Sequence, residues 1–142
     1  MNEFIWPIRV YYEDTDSGGV VYHSNYLNFM ERARTEWLRA MGLEQDDIIK
    51  QHSLVFVVHS LSIDYIKPAL FNEALVVKTH IEKLARASII FKQVIVKQGT
   101  DADNEQILTQ AMVKIVSLSL AKKRPSPLPK VIYEKFSQSL LS

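Results

Sequence analysis

The spacing of apolar residues along the chain predicts one long helix. From residue 26 to residue 41 they recur every three or four positions, which is the i, i+3, i+4, i+7 stripe of an amphipathic helix. Ser24 or Asn25 fits the N-cap, and Gly42 stands where a left-handed residue commonly ends a helix. The apolar stripe consists of Tyr26, Leu27, Met30, Ala33, Trp37 and Met41. A solvated opposite face is predicted for Glu31, Arg32, Arg34, Thr35 and Arg39.

The rest of the pattern predicts strands. A second, shorter helix is predicted for residues 44–51, and the later segments are rich in Val, Ile and Phe and partly alternate. Turn residues separate these segments at 67–69, 71–73, Arg86 and 99–104. The predicted strands are residues 8–12, 54–66, 74–85, 87–98 and 105–120. The proline-rich residues 124–129 exclude a helix or an interior strand and precede a short final helix.

This order of elements favours an α+β domain. Four long strands joined by short turns predict an antiparallel meander. One face of such a sheet needs a cover, and only one predicted helix is long enough to provide it. We therefore expect a curved antiparallel sheet of about five strands wrapped around one central helix, in a single domain that spans residues 1–142. Because open sheet edges are usually paired or shielded, we also expect a dimer.

Composition narrows the classes of function. The 142 residues carry a formal net charge of +1, which gives no reason to expect nucleic acid or an anionic membrane as the main partner. The absence of cysteine excludes disulfides, a thiol nucleophile and thiolate metal sites. The N-terminus lacks the pattern of a signal peptide, and no apolar run approaches the ~20 residues that span a bilayer. The expected location is cytoplasmic.

The candidate chemistry lies in residues 11–42, which read YYEDTDSGGVVYHSNYLNFMERARTEWLRAMG. Asp16 stands just before two glycines and a helix N-terminus, where free backbone N–H groups bind developing negative charge. A carboxylate beside such a site can hydrolyse an activated acyl group, either by direct attack or by activating water. An Asx-turn that only organises the loop is the alternative for Asp16. Glu13 and Asp14 are interpreted as solvated turn acids or partners of Arg9.

His23 is the second candidate, because its backbone N–H lies at the predicted helix entry. A half-buried loop histidine is the alternative for its side chain. Tyr22 is a candidate for the pocket lining, and Gly18 and Gly19 supply backbone freedom that lets a substrate approach.

The other polar residues give weaker predictions. Glu31 and Glu36 are interpreted as a solvated helix face with local ion pairs, and a catalytic acid on the helix at Glu31 is the alternative. The histidines at 52, 59 and 80 lack the spacing of a metal site, although His59 is a candidate for the cleft. Arg86, with Lys83, is a candidate for binding the phosphates of a substrate at a strand end. No metal and no cofactor is expected.

The segment from residue 11 to residue 37 resembles the hotdog-fold acyl-CoA thioesterases of the 4-hydroxybenzoyl-CoA thioesterase type. It is most similar to their Tol-Pal-associated, YbgC-type subgroup. The similarity extends over most of the chain, through VVHSLSIDYIKPA at residues 57–69 and the RPSPLP tail. The resemblance implies a hotdog fold, a catalytic role for Asp16, and carbonyl polarisation by the backbone amide of residue 23. It also implies acyl-CoA or acyl carrier protein thioesters as substrates and a homodimer or homotetramer.

Two other classes of function stay open at this point. A hotdog hydratase or dehydratase would use an acid–histidine pair, for which Asp16 and His23 are candidates. A non-catalytic module would bind acyl chains or a protein partner. The sequence leaves open the acyl-chain length and the choice between covalent and water-mediated attack.

Overall fold

The computed structural model describes residues 2–99 and 104–141, without the side chain of residue 141. The predicted turn at 99–104 therefore lies largely outside the described residues. The elements, in chain order, are β1 (Phe4–Arg9), α1 (Asn25–Ala40), α2 (Gln45–His52), β2 (Leu54–Tyr65), β3 (Ala74–Leu84), β4 (Ser88–Lys97), β5 (Gln106–Ser119), β6 (Arg124–Pro125) and α3 (Lys130–Leu141). The predicted bounds of β2 to β5 are thus confirmed within one or two residues. The first strand was placed too late, because residues 12–14 form a 3-10 turn instead.

Helix α1 has the predicted extent and the predicted start, but it lacks a side-chain cap. Ser24 is the N-cap residue, yet its side chain makes no capping hydrogen bond. Gly42 adopts the predicted left-handed backbone with φ 82°. The buried face consists of Tyr26, Phe29, Met30, Ala33, Trp37 and Leu38.

The predicted solvated face of α1 was wrong for Arg34 and Thr35, which are both half-buried, and Arg34 turns towards the sheet. Its Nη1 donates a hydrogen bond of 2.8 Å to Oε1 of Gln93 on β4. Gln93 is fully buried, and its Nε2 donates to the carbonyl oxygen of Met30 (2.9 Å) and to Oγ1 of Thr79 (3.0 Å). A buried amide must find partners, and here they come from the helix as well as from the sheet. This bonding ties α1 to the centre of the sheet.

The sheet is antiparallel, with the strand order β1-β3-β4-β5-β2, and β6 pairs with the end of β5. Only β3, β4 and β5 form the predicted meander. The prediction was wrong for β2, which lies beside β5 at the far edge. The reason is that residues 66–73 cross the end of the sheet and return the chain to β1, against which β3 pairs. Turn length alone does not reveal such a crossing.

The two ends of the sheet carry different segments. At one end, which we call the loop end, lie the C-termini of β1, β2 and β4, with residues 10–24 after β1 and residues 66–73 after β2. At the other, the turn end, residues 85–87 join β3 to β4 and residues 120–129 follow β5. Strand β4 spans the sheet with ten residues, so the two ends are about 30 Å apart.

The core lies between α1 and the sheet, and α3 closes it at the turn end. Phe4 of β1 stacks on Trp37 of α1 with ring centroids 5.9 Å apart. Phe136 of α3 is fully buried and packs edge-to-face on Phe56 of β2 at 6.4 Å. The sequence pattern predicted a single covering helix, but α3 is twelve residues long and contributes Ile132 and Phe136 to the same core. Among the described residues, three α-helices therefore accompany the sheet.

Candidate active site

A small hairpin of residues 14–22 forms the centre of the loop end. The backbone N–H of Asp16 donates to the carbonyl of Val20 (2.9 Å), and the N–H of Tyr22 donates to the carbonyl of Asp14 (2.9 Å). Gly19 closes the turn with φ 80°, a conformation that a residue with a Cβ rarely adopts, and its N–H donates to the carbonyl of Asp16. The glycine is therefore needed for the shape of this loop.

The hairpin is fixed to the segment that precedes β3. The N–H of Val21 donates to the carbonyl of Ala69 (2.9 Å), and Val20 forms a bridge with Leu70. The N–H of Ala69 in turn donates to the buried hydroxyl oxygen of Tyr26 at 3.0 Å. Burial raises the pKa of Tyr26, so its hydroxyl stays protonated. These bonds hold the hairpin against the start of α1.

Asp14 corrects one prediction, because it is buried and does not act as a solvated turn acid. Its carboxylate accepts hydrogen bonds from the backbone N–H of Tyr11 (2.8 Å) and from the side-chain amide of Asn25. Arg9 does not pair with it and donates to the carbonyl of Asn72 at 2.9 Å. Asp14 thus joins the end of β1 to the first residue of α1.

Asp16 forms the Asx-turn that the sequence offered as one interpretation, and its catalytic role stays a prediction. Its Oδ1 accepts the backbone N–H of Gly18 at 2.8 Å, which is the bond of an Asx-turn. The side chain is nevertheless exposed, and Oδ2 accepts no hydrogen bond from the described residues. The turn therefore orients the carboxylate and leaves one oxygen available to a substrate or a water molecule.

His23 lies at the entry of α1, as predicted. Its backbone N–H and that of Ser24 donate to no acceptor among the described residues, while its carbonyl accepts the hydroxyl of Tyr65 at 2.9 Å. The imidazole is exposed, with its ring centroid 4.3 Å from that of Tyr22. Two free N–H groups at a helix N-terminus suit a carbonyl oxygen that gains negative charge.

An open pocket adjoins this helix entry. It is lined by Val21, His23, Tyr26, Tyr65, Ile66, Lys67 and Pro68. Three of these residues, Tyr65, Ile66 and Pro68, were given no role at a site by the sequence pattern, and Lys67 was considered only as one of several cations at strand ends. The signal that could have found them is the segment 57–69, which carries part of the family resemblance and ends at this pocket.

The remaining predicted residues are placed in three separate regions. Gly19 adjoins Asp16 in the hairpin, and Tyr22 lies at its base but is absent from the pocket wall. His59 is exposed at the irregularity of β2, away from the pocket lining. Arg86 is exposed in the turn at the far end of the sheet. Within the described part of the chain, no group of acidic or histidine side chains is arranged to hold a metal ion.

Most of the chain, including this loop, is similar to known proteins. A family model described as the thioesterase-like superfamily matches residues 10–136. The acyl-CoA thioesterase YbgC of Haemophilus influenzae is 42% identical over 135 residues, which cover 95% of each chain. The acyl-CoA thioester hydrolase YbgC of Escherichia coli O6:H1 is also 42% identical, over 95% of this chain and 96% of its own. The crystal structure of a 1,4-dihydroxy-2-naphthoyl-CoA thioesterase from Synechocystis has a TM-score of 0.85 at 26% identity, covering 95% of this chain and 96% of that one.

No helix among the described residues is long and apolar enough to cross a membrane.

Proposed function

Because this chain belongs to the thioesterase-like superfamily, we propose that it hydrolyses acyl-CoA thioesters to a free acid and a thiol. The observation that carries the proposal is the 42% identity to enzymes named acyl-CoA thioesterase over 95% of the chain. The geometry of the loop end supports it, since the hairpin carries an exposed carboxylate and is followed directly by free backbone N–H groups at the entry of α1. Acyl carrier protein thioesters are a further candidate substrate. We place the reaction in the cytoplasm, as the sequence predicts.

In the proposed reaction, Asp16 acts on the thioester carbonyl carbon. As a general base, its free Oδ2 takes a proton from a water molecule while the water oxygen bonds to that carbon. As a nucleophile, the same oxygen bonds to the carbon and forms an anhydride that water then opens. In both routes the C–S bond breaks, the thiolate leaves and gains a proton, and the acyl group departs as a carboxylic acid.

The free N–H groups of His23 and Ser24 supply the second part of the proposed site. As the tetrahedral intermediate forms, negative charge develops on the carbonyl oxygen, and backbone donors at the start of α1 stabilise it. The bond from Tyr65 to the carbonyl of His23 supports this role, because it holds the helix entry in place. The pocket lined by residues 65–68 adjoins the start of α1. We propose that the part of the substrate next to the thioester group binds there. Tyr22 and His59 stay predictions of substrate contact.

A dimer completes the proposed site. Strand β2 is an edge of the sheet for all of its twelve residues, and it exposes Val58, Leu61 and Tyr65 by 40% or more. The other edge, β1, is half as long and contains Pro7, which has no N–H to give. A two-fold axis would pair β2 with the β2 of a second copy in antiparallel fashion. The loop end of one subunit would then lie beside the turn end of its partner, which is where Arg86 could bind substrate phosphates.

The dimer can be tested at the two edges of the sheet. We expect wild-type protein at micromolar concentration to give the mass of a dimer or a tetramer by light scattering. Leu61→Asp on β2 should weaken association because it places a charge in the paired edge, and activity should fall with the dimer fraction. Ile5→Asp, on the other exposed edge, is the control and should leave the mass unchanged. A fully active monomeric wild-type protein would contradict the proposal.

A substitution at His23 can separate the role of its ring from the role of its backbone N–H. His23→Ala keeps the backbone donor, so we expect kcat/KM to fall by no more than ~10-fold, through loss of a side-chain contact. His52→Ala is a matched control on an exposed histidine at the end of α2, outside the pocket, and we expect it to be near wild type. If His23→Ala lowers kcat/KM at least as much as Asp16→Asn, the imidazole takes part in the reaction. An acid–histidine pair of the hydratase kind is then the better hypothesis.

The function itself is tested by thiol release. Purified protein is incubated with acyl-CoA substrates of increasing chain length, including aromatic acyl groups, and free thiol is measured. A parallel series with acyl carrier protein thioesters identifies the carrier. Absence of thiol release from the whole panel, together with hydration of an enoyl-CoA by the same preparation, would replace the thioesterase proposal with the hydratase one.

A further inference from the structure

The pocket at the entry of α1 has few hydrogen-bond donors left for a ligand. Among the described residues, the backbone N–H groups of Ile66 and Lys67 both donate to the carbonyl of Leu108, at 2.8 and 3.1 Å. The N–H of Val21 donates to the segment before β3, and Pro68 has no N–H to give. The donors that remain on this wall therefore restrict the chemistry of a ligand.

Two tyrosines line this pocket, and they use their hydroxyl groups differently. The hydroxyl of Tyr65 donates its proton to the carbonyl of His23 at 2.9 Å. The hydroxyl oxygen of Tyr26 instead accepts the N–H of Ala69 at 3.0 Å, and its own proton has no acceptor among the described residues. A phenol is a donor as well as an acceptor, and a buried tyrosine usually finds a partner for its O–H. Tyr26 thus has an unused hydrogen-bond donor.

The hydroxyl of Tyr26 lies in the buried part of the pocket wall. The residue is only 3% exposed, and Ala69, whose N–H it accepts, directly follows Pro68 of the pocket lining. Burial raises the pKa of Tyr26, so the proton stays on the oxygen. Tyr26 follows His23 by three residues, which is about 4.5 Å along the axis of α1. The pocket therefore offers two kinds of donor within one helical turn, the free N–H at the helix entry and the O–H of Tyr26.

A ligand that satisfies both donors carries two carbonyl oxygens a short distance apart. The thiol arm of CoA has this chemistry, because only the sulfur, an ethylene link and a nitrogen separate the thioester carbonyl from an amide carbonyl. The arm of an acyl carrier protein has the same amide. The ethylene link is apolar, as are Ile66 and Pro68 of the pocket wall. An amide carbonyl that leaves water for such a wall needs a donor there.

We propose that the O–H of Tyr26 donates a hydrogen bond to this amide carbonyl and thereby selects thioesters whose thiol carries an amide close to the sulfur. The inference rests on the proposed function, since it names the group that the site recognises on the thiol side. The N–H groups of His23 and Ser24 are left for the thioester carbonyl. Because the amide lies away from the bond that breaks, the contact is made equally in the bound substrate and in the transition state. Tyr26 is thus a specificity-determining residue that acts on KM and not on kcat.

The test compares Tyr26→Phe with wild-type protein on two thioesters of the same acyl group. The N-acetylcysteamine thioester keeps the amide, and the S-pentyl thioester has the same chain length without it. We expect Tyr26→Phe to raise KM by ~3- to 10-fold for the N-acetylcysteamine thioester, as the loss of one neutral hydrogen bond predicts, and to leave kcat nearly unchanged. Acyl-CoA should show the same rise. KM for the S-pentyl thioester should stay within about twofold. Each comparison uses two proteins and one substrate, so the intrinsic reactivity of the thioester cancels.

Further variants separate the proton of Tyr26 from its structural role. Tyr26→Phe also removes the acceptor of the Ala69 N–H, so its fold is checked by urea denaturation and its assembly by light scattering. A ring-fluorinated tyrosine at position 26 keeps that acceptor and has a lower hydroxyl pKa, so raising the pH removes only the proton. In this protein, KM for the N-acetylcysteamine thioester should rise with pH relative to KM for the S-pentyl thioester. Tyr133→Phe, on α3 and outside the pocket, is the control and should match wild type on both substrates.

Three results would overturn the proposal for Tyr26 and leave the proposed hydrolysis in place. The first is an equal change of KM for both thioesters, which would make the hydroxyl a structural group of the subunit or of the subunit boundary. The second is a loss confined to kcat, which would mean that Tyr26 acts through the helix entry. The third is a folded Tyr26→Phe protein that behaves like wild type on both substrates. If wild-type protein hydrolyses neither these thioesters nor acyl-CoA, the proposed function fails and this proposal fails with it.

Discussion

Replacing Asp16 by Asn is expected to lower kcat/KM for acyl-CoA hydrolysis by ~100-fold or more, because the amide is neither a base nor a nucleophile. The change should leave the fold intact. The side chain is exposed, and an Asn oxygen can accept the N–H of Gly18 just as Oδ1 of Asp16 does. The loss should therefore appear mainly in kcat, with little change in the free energy of unfolding. Steady-state thiol release and urea denaturation measure the two quantities.

Glu13→Gln is the matched control for this prediction. Glu13 is an exposed acid three residues earlier in the same loop and makes no bond that shapes the hairpin. We expect activity close to wild type. Near-wild-type hydrolysis by folded Asp16→Asn protein would refute the assignment of the catalytic acid and direct the search to another carboxylate, with Glu31 on α1 as the next candidate.

Replacing Asp14 by Ala, unlike Asp16→Asn, is expected to lower the free energy of unfolding. The carboxylate is buried, and its removal leaves the N–H of Tyr11 and the side-chain amide of Asn25 without their acceptor. Losing a buried acceptor that serves two partly buried donors costs about 1–3 kcal/mol in the free energy of unfolding. Denaturation in urea at fixed protein concentration measures this loss, which is then compared with that of Glu13→Ala. Activity should fall as well, because Asp14 holds the hairpin to the first residue of α1.

Two outcomes would contradict this structural role for Asp14. The first is an Asp14→Ala protein as stable as wild type, which would mean that the two donors find water instead. The second is an Asp14→Ala protein of normal stability and no activity, which would make Asp14 rather than Asp16 the candidate acid. Measuring both variants with the same substrate therefore assigns one acid of the DTD sequence to chemistry and the other to folding.

Local patterns were sufficient to predict most of the elements. The bounds of α1 and of β2 to β5 follow from the helical and alternating spacing of apolar residues, and the C-terminal position of Gly42 follows from its freedom at positive φ. The same patterns misplaced the first strand, because the apolar residues from Val10 to Tyr12 continue past the last pairing of β1 at Arg9. Pairing depends on a partner, here the start of β3, which the local pattern does not contain.

The roles of polar residues depended more strongly on tertiary contacts. Asp14 and Asp16 differ by two positions in one acidic loop, yet one is buried and the other exposed. Arg34 occupies a polar position of α1 like that of Arg32, but a buried amide on β4 draws it inward. In each case the deciding partner is remote in sequence or lies on another element, so composition and spacing could not predict it.

The sequence by itself determined the helix and strand segments, the loop with its acid, glycines and helix entry, and the family to which the chain belongs. These properties are local, because they depend on the order of neighbouring residues. Only the tertiary structure decided that β2 lies at the far edge beside β5, that Arg86 lies at the opposite end of the sheet from Asp16, and that Arg34 bonds to Gln93 on β4. These properties depend on how residues 66–73 cross the sheet and how α1 packs on β4, which are contacts between segments far apart in the chain.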